Sequence, residues 1–229
     1  MKTVAIIQAR SGSTRLPNKI FKDLMGKPLL WHIVDRLKRA KEVDQILIAT
    51  TDLAQDDSVE AFAKENDLKF YRGSEHDVLD RFMKAAQQEE ADYIVRITSD
   101  APLIDPAHID QLIVKAKEGP FDYVFWNAET VFEGFEVVSF EALRKSSESL
   151  SSGPYREHVT TYIREHPHTV KGTTLMVDPI FYRKNYKGPV KLSVDTLEDF
   201  DRMEQIYKKF YKENEIVNVK DALTFFENA

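Results

Sequence analysis

The chain has 229 residues, enough for one α/β domain with a full core. Its net charge of −6 argues against nonspecific nucleic-acid binding, which needs a broad basic face. There is no cysteine, which excludes a disulfide framework and a thiolate metal site. The sequence shows neither a signal peptide nor an apolar stretch long enough to span a membrane, so we expect a cytoplasmic protein with no membrane partner.

Strand and helix patterns alternate through the first half of the chain. Buried strands are predicted at 3–8, 45–51, 68–71 and 93–98. Apolar residues at helical spacing predict intervening helices at 28–37, 57–66, 78–88 and 106–117. This βαβα order indicates an α/β fold with a mostly parallel sheet and helices on both faces. Ligands bind such sheets beyond the carboxyl ends of the strands.

After Gly119 the pattern changes. Strands are predicted at 121–126, 169–177 and 191–194, and a hairpin arm is predicted at 133–140. Helices are predicted at 156–164 and 197–211, and the serine-rich segment 146–153 is predicted to be a loop. We find no internal repeat and no low-complexity linker, so residues 1–229 are interpreted as a single domain.

The most informative segment, "QARSGSTRLPNK" at 8–19, follows the first predicted strand. Arg10, Arg15 and Lys19 place three cations in it, beside the single glycine Gly12. The segment lacks the spacing of a P-loop and of a dinucleotide fingerprint. Its cations and backbone amides can nevertheless enclose several phosphates, as in a nucleoside triphosphate. From the spacing alone, a solvated basic turn fits equally well.

The segment "IIQARSGSTRLPNK" resembles the signature loop of the sugar cytidylyltransferases. The resemblance continues through "GKPLLWHIVDRLKRAK", "ILIATTD", "FYRGSEHDVLDRF", "VRITSDAPLIDP", "YREHVTTYI" and "LSVDTLEDFDRM". It is strongest to the SpsF-like spore coat polysaccharide branch, which is related to the acylneuraminate and 3-deoxy-manno-octulosonate cytidylyltransferases. It implies a three-layer α/β/α sandwich of the nucleotide-diphospho-sugar transferase type. It also implies transfer of CMP from CTP to an acidic sugar, and an insertion around 127–165 for sugar binding or homodimerisation.

The resemblance assigns roles to the residues of the loop. Arg10, Arg15 and Lys19 would hold the phosphates, and Lys19 would favour departure of pyrophosphate. Ser11 and Ser13, with their backbone amides, would complete the phosphate cradle.

The resemblance also implies a Mg²⁺ cofactor. Its ligands would be Asp100 in "TSDAPL" and Asp195 in "VDTLED". Mg²⁺ commonly binds through one or two carboxylates together with phosphate oxygens. Each aspartate also fits a purely local role, Asp100 as a cap or Asx turn and Asp195 as the cap of the next helix. Asn18 stands where the family often has glycine.

Five further residues are candidates for substrate binding. Arg72 and Ser74 match a family segment that faces the base or the ribose, and Asp52 ends a strand on the ligand side. An aspartate in that position also commonly caps the following helix. Arg156 and His158 are candidates for the carboxylate of the sugar, although a helix terminus fits them at least as well.

Other interpretations remain open at this stage. His32 and His76 are predicted on helix surfaces. Asp80 and Arg81 fit a helix-surface pair as well as they fit a functional site. The chain could be a noncatalytic nucleotide- or sugar-binding module, or a nucleotidyltransferase of the same fold that uses another nucleoside triphosphate. A metal-dependent glycosyltransferase would carry D-x-D where this chain has Thr98-Ser99-Asp100.

Overall fold

The computed structural model describes residues 1–127, 129–132, 134–150, 152–175, 178–187 and 190–227. Its strands are β1 (Thr3–Gln8), β2 (Asp23–Leu24), β3 (Lys27–Pro28), β4 (Gln45–Thr51), β5 (Lys69–Gly73), β6 (Tyr93–Thr98), β7 (Tyr123–Trp126), β8 (Phe135–Ser139) and β9 (Gly172–Leu175). Its α-helices are α1 (Leu29–Leu37), α2 (Asp57–Glu65), α3 (Val78–Gln88), α4 (Pro106–Glu118), α5 (Phe140–Ser149), α6 (Thr161–Glu165), α7 (Leu197–Phe210) and α8 (Val219–Glu227).

A seven-stranded mixed sheet forms the centre of the molecule, in the order β5-β4-β1-β6-β8-β7-β9. β5, β4, β1 and β6 are parallel to one another, whereas β8 is antiparallel to both β6 and β7. β1 therefore ends beside β4 and β6, with Gln8 opposite both Ala49 and Thr98. The sequence continues from this central position directly into the basic loop.

Two apolar layers enclose the sheet. Alternate residues of β1 point to opposite sides, because successive side chains of a strand do so. Ala5 and Ile7 pack in the layer that contains α1, α2, α4, α7 and α8. Val4 and Ile6 pack in the layer that contains α3, α5 and α6. The predicted three-layer α/β/α sandwich is confirmed.

Side-chain caps fix where several helices begin. Asp77 accepts the N–H of Asp80 at the start of α3, and Asp105 accepts the N–H of Ala107 at the start of α4. Ser139 does the same for α5. Such caps satisfy N–H groups that have no partner within the helix.

The second half differs from prediction in several places. Residues 191–194 form no strand. A single 3-10 turn at Pro154–Arg156 and the short helix α6 replace the predicted helix at 156–164. Within the predicted loop 146–153, residues 146–149 belong to α5, and Ser151 lies outside the described residues. Of the strand at 169–177, β9 forms the described core, and 176–177 lie outside the described residues.

The described part of the predicted arm at 133–140 is β8. It is an internal strand between β6 and β7, because its alternate backbone groups pair with both neighbours. Residues 128 and 133 lie outside the described residues. β2, β3 and α8 have no counterpart among the predicted elements.

His32, predicted on a helix surface, and Arg81, for which a helix-surface pair is one of two open interpretations, are both buried. His32 is 3% exposed, and its Nε2 lies 2.7 Å from the carbonyl oxygen of Leu24. Arg81 is 1% exposed and donates from Nη1 to the carbonyl oxygen of Ser74 at 2.6 Å. Both helices are amphipathic, and each of these side chains lies on the inward face. None of the described helices has the length and apolar character that a membrane crossing requires.

Candidate active site

A buried carboxylate holds the beginning of the basic loop. Asp56, which is fully buried, accepts the backbone N–H of Ser11 at 2.7 Å and its hydroxyl at 2.6 Å. The hydroxyl of Thr51, at the end of β4, also donates to Asp56. Both donors of Ser11 are thus engaged within the protein. Ser11 fixes the loop to the start of α2, and its predicted place in the phosphate cradle is not supported by this geometry.

The end of the loop has a backbone conformation that asparagine tolerates well. Asn18 has φ of 53°, in the left-handed region, and directly precedes the short 3-10 helix that begins at Lys19. Glycine and asparagine adopt this region more readily than other residues. The asparagine therefore satisfies the conformation for which the resembling family often uses glycine.

The loop lines a cavity of about 360 Å³ at the carboxyl ends of β1 and β6. Twelve residues line it: Gln8, Arg10, Ser13, Thr14, Arg15, Lys19, Arg96, Thr98, Ser99, Asp100, His158 and Asp195. The structure thus brings together seven sequence-predicted residues: Arg10, Ser13, Arg15, Lys19, Asp100, His158 and Asp195. They come from the basic loop, the end of β6 and two distant segments of the chain.

Opposite charges alternate within this cavity. Lys19 Nζ lies 3.5 Å from Asp100 Oδ2 and 3.3 Å from Asp195 Oδ1, and it donates to the carbonyl oxygen of Val194 at 2.9 Å. Arg15 donates to Asp195 Oδ1 at 2.9 Å. Arg10 is paired with Glu75 at 3.0 Å. The loop cations are therefore held by carboxylates that a polyphosphate would have to displace.

Three cations surround Asp195. Burial by itself would raise the pKa of this carboxyl group, but the hydrogen bond from Lys191 and the positive charges of Lys19 and Arg15 outweigh it, so the pKa is lowered. Asp195 is therefore ionised at neutral pH and is able to bind a cation.

Neither Asp100 nor Asp195 is a helix cap. Thr196 caps α7 in a capping box, in which its hydroxyl accepts the N–H of Asp199 and Asp199 Oδ2 accepts the N–H of Thr196 at 3.0 Å. Asp105 caps α4. Asp100 instead accepts the hydroxyl of Thr98 at 2.6 Å. The structure therefore excludes the helix-cap roles that the sequence left open for these two aspartates.

The donor set at this position suits magnesium. Among the described residues, no three or more His, Cys, Asp or Glu side chains are grouped as a metal site. Asp100 and Asp195 nevertheless converge on the single ammonium group of Lys19, both within 3.5 Å. Two carboxylates completed by phosphate oxygens are a common binding mode of Mg²⁺ and need no third protein carboxylate.

Three further candidates for substrate binding, Asp52, Arg72 and Ser74, lie outside the cavity lining. Arg72 donates to Asp57 at 2.7 Å and to Glu60 at 2.8 Å, so its guanidinium group is held against α2. Ser74 accepts the N–H of Asp77, and Asp52 is exposed beyond β4. The structure does not bring these three residues into the cavity that the basic loop lines.

Arg156 also lies outside the cavity lining. It donates to Asp77 at 2.8 Å and to the carbonyl oxygen of Leu150 at 2.6 Å. These bonds tie the start of α3 to the end of α5, which is a structural role. Its neighbour His158 is exposed and lines the cavity.

A second cavity of about 340 Å³ adjoins the first. Its lining combines aromatic rings with charged and hydroxyl groups: Arg96, Tyr123, Phe125, Trp126, Phe132, Gly134, Phe135, Glu136, His158, Thr160, Thr161 and Arg164. Arg96 and His158 line both cavities. Sequence reasoning missed Arg96, although a charged residue within the apolar strand "YIVRIT" is a signal for a functional or paired group.

Comparison with known structures defines the class of fold. The structure superposes with a TM-score of 0.87 on a cytidylyltransferase from Leptospira borgpetersenii serovar Hardjo-bovis, at 27% identity over 100% of this chain and 98% of that one. Together with the mixed sheet and its flanking helices, this shows the nucleotide-diphospho-sugar transferase fold.

Comparison of sequences defines the family. The profile of a family described as "Cytidylyltransferase" matches residues 4–221. The chain is 36% identical to the spore coat polysaccharide biosynthesis protein SpsF of Bacillus subtilis, over 89% of this chain and 85% of that protein. It is 40% identical to a 3-deoxy-manno-octulosonate cytidylyltransferase of Trichlorobacter lovleyi, over 49% of this chain and 44% of that protein. The chain belongs to the cytidylyltransferase family, and the resemblance found in the sequence is confirmed.

Proposed function

We propose that this protein transfers CMP from CTP to a hydroxyl group of an acidic sugar and releases pyrophosphate. The observation that carries the proposal is the first cavity. There, three basic side chains of one loop lie in one cavity with Asp100, which follows β6, and Asp195, which precedes α7, and Arg15 and Lys19 contact these carboxylates directly. A polyphosphate supplies the anions that such cations bind, and a divalent cation can take the place of the lysine between the carboxylates.

Arg15 and Lys19 bind the phosphates that become pyrophosphate. Both already hold an anionic oxygen in this cavity, Asp195 Oδ1, at 2.9 and 3.3 Å. When a triphosphate enters, its oxygens replace the carboxylate oxygens as partners of these cations. Arg10, which is paired with Glu75, lines the cavity beside them. In this arrangement the positive charge lies where negative charge accumulates as pyrophosphate leaves.

Mg²⁺ is the proposed cofactor. Asp100 and Asp195 would hold it, and when bound it neutralises charge on the phosphates and orients the leaving group. The hydroxyl of Thr98 donates to Asp100 Oδ1. The other oxygen, Oδ2, faces the ammonium group of Lys19, which also contacts Asp195.

The second cavity is the proposed acceptor site. Sugars bind to sites that combine aromatic faces with polar side chains, and this lining offers Trp126, Tyr123 and hydroxyl groups of Thr160 and Thr161. Arg164 provides a positive charge that has no ion pair among the described residues, which suits an anionic acceptor. The name of the relative that acts on 3-deoxy-manno-octulosonate supports the same class of acceptor.

The transfer follows from placing the two ligands side by side. The acceptor hydroxyl oxygen forms a bond to the α-phosphorus of CTP. The bond from that phosphorus to the bridging oxygen of the β-phosphate breaks, and its electron pair leaves with pyrophosphate. The hydroxyl proton passes to solvent. The protein contributes alignment of the two reactants and charge stabilisation.

Pyrophosphate release across a matrix of substrates tests the proposal. The four common nucleoside triphosphates are combined with 3-deoxy-manno-octulosonate, other ulosonic acids and neutral hexoses, with and without Mg²⁺. We expect release only with CTP, an acidic sugar and Mg²⁺ together. Activity with another triphosphate contradicts the choice of base, and activity with neutral hexoses contradicts the choice of acceptor. If no combination is active although CTP binds, the noncatalytic binding module is supported instead.

A further inference from the structure

The two adjoining cavities restrict where the reacting phosphorus can lie. If the first holds the triphosphate and the second holds the acceptor, the α-phosphorus lies where they meet, because the acceptor oxygen attacks it directly. Among the described residues, Arg96 and His158 line both cavities. His158 is exposed, whereas the side chain of Arg96 is 20% exposed and carries a permanent charge.

Arg96 is held in a fixed orientation. Its Nη1 donates to Glu136 Oε1 at 3.0 Å across the antiparallel pair of β6 and β8. The hydroxyls of Tyr123 and Thr160 also donate to Glu136, which is 8% exposed. Burial and the neighbouring charge of Glu136 raise the pKa of Tyr123, so its hydroxyl stays protonated and remains a donor. Glu136 therefore acts as an anchor for the guanidinium group.

Two polar atoms near this anchor have no partner. Arg96 Nε is a buried donor and Gln8 Oε1 is a buried acceptor. Neither atom makes a hydrogen bond within the described residues. They lie on neighbouring parallel strands, since Arg96 is opposite Ile6 and Gln8 is opposite Thr98. Buried polar groups without a partner are uncommon in native proteins, and a ligand that completes them explains their retention.

We propose that Arg96 is a further catalytic residue, which binds the non-bridging oxygens of the α-phosphate at the junction of the two cavities. This proposal rests on the proposed function, because it requires a nucleotide in the first cavity. Glu136 positions Arg96, and Gln8 Oε1, which cannot bind the phosphate oxygens, accepts a hydrogen bond from a hydroxyl or amino group of the bound nucleotide. As the new phosphorus–oxygen bond forms, negative charge on these oxygens is stabilised by a guanidinium group that needs no reorientation.

Binding of cytidine, CMP and CTP by calorimetry tests this assignment without requiring the acceptor. CMP contains the α-phosphate and cytidine does not, so the contribution of Arg96 lies in the difference between them. Arg96→Met alone would leave Glu136 buried without its cation. The variant is therefore built as Arg96→Met/Glu136→Gln and compared with Glu136→Gln, in which Arg96 remains. Arg96→Lys is a second variant that keeps the charge.

We expect the double variant to bind CMP and CTP about tenfold or more weakly than Glu136→Gln does, with cytidine affinity unchanged. The affinity of Arg96→Lys for CMP and CTP should lie between those of the double variant and of Glu136→Gln. Arg39→Lys, at an exposed residue that follows the end of α1, is the control and should bind all three ligands like the wild type. Equal CMP affinities in the double variant and Glu136→Gln overturn the proposal, as does an equal loss for cytidine. If the wild-type protein binds neither cytidine nor CMP nor CTP, the proposed function fails first and this assignment fails with it.

Discussion

The two halves of the sheet differ in what they contribute. The parallel half, β5-β4-β1-β6, ends in the basic loop and Asp100, which form most of the first cavity. The other half, β8-β7-β9, is called the antiparallel half here because β8 is antiparallel to both of its neighbours, although β7 and β9 are parallel. Its strands β7 and β8 contribute five of the twelve residues that line the second cavity. Parallel strands place their carboxyl ends at one edge of a sheet, where charged loops can converge. Under the proposed function, the charges that bind the phosphates would belong mainly to the parallel half, and the aromatic surface that binds the acceptor would belong to the other half.

The largest expected effect comes from the carboxylates of the first cavity. Asp195→Asn and Asp100→Asn should each lower Mg²⁺-dependent turnover by roughly 10²–10³-fold, because a charge that would hold the cation is removed. The two losses should be far from additive, since both residues would bind the same ion. Because Thr196 and Asp199 cap α7, Asp195→Asn should unfold at a temperature near that of the wild type.

Asp201→Asn is the matched control for this prediction, because Asp201 is an exposed aspartate on α7, the helix that begins just after Asp195. Turnover and thermal unfolding are measured for all three variants at limiting Mg²⁺. An Asp195→Asn protein with the turnover of the Asp201→Asn control would remove Asp195 from the proposed machinery.

The sequence predicts the parallel half well for a physical reason. β1, β4 and β6 are largely buried and appear as apolar runs, and α3 and α4 begin at the capping residues Asp77 and Asp105. Three of the four strands, β1, β4 and β6, have the predicted bounds. The cations of the basic loop and Asp100 follow β1 and β6 directly, so their convergence could be inferred from topology.

The antiparallel half is less predictable because its structure depends on long-range pairing. β8 becomes an internal strand only because β6 and β7 lie on either side of it. The segment 191–194 crosses the end of the sheet without joining it, held instead by the bond from the Val194 N–H to the carbonyl oxygen of Asp100. Ser11 donates a hydrogen bond to Asp56, and Arg156 donates one to Asp77. These partners are 45 and 79 residues away in the sequence, so local patterns do not predict the bonds.

A substitution in each cavity should raise the KM for one substrate and leave the KM for the other unchanged. We expect Arg164→Gln to raise the KM for the acidic sugar about tenfold, because it removes from the second cavity a positive charge that has no ion pair within the described part of the chain, while the KM for CTP stays unchanged. Arg15→Gln should do the opposite and raise mainly the KM for CTP. Both constants are measured by pyrophosphate release under saturation with the other substrate. A rise in both KM values for Arg164→Gln would contradict the division between the halves.

Arg156 should affect stability rather than catalysis. Arg156→Ala removes the bonds that join Asp77 of the parallel half to the end of α5. We expect a loss of about 1–3 kcal/mol in the free energy of unfolding, because a charged hydrogen bond and a buried carbonyl partner are lost. Arg144→Ala, which removes exposed pairs on α5, should cost less than about 1 kcal/mol. Urea unfolding measures both, and an equal loss in the two variants would argue against the tie.

The smallest expected effect is a pH dependence in the parallel half. Burial lowers the pKa of His32 below its ordinary value of 6.5, more strongly than the bond to Leu24 raises it. The neutral form is favoured in the folded state, so His32 stabilises the fold fully above pH 6.5, and this contribution declines as the pH falls below 6.5 towards the folded pKa. The stability difference between the wild type and His32→Gln should therefore narrow on acidification. Urea unfolding between neutral and mildly acidic pH measures it, and a constant or widening difference would contradict the assignment.

The most direct test of the central claim is the shift in unfolding temperature caused by a nucleotide. A triphosphate that binds the first cavity binds only the folded chain, which at about 100 times its Kd adds roughly 2.7 kcal/mol to the free energy of unfolding. With Mg²⁺ present, CTP should raise the unfolding temperature clearly, and GTP, ATP and UTP should raise it less. No shift with any nucleotide, or a larger shift with a nucleotide other than CTP, would contradict the account.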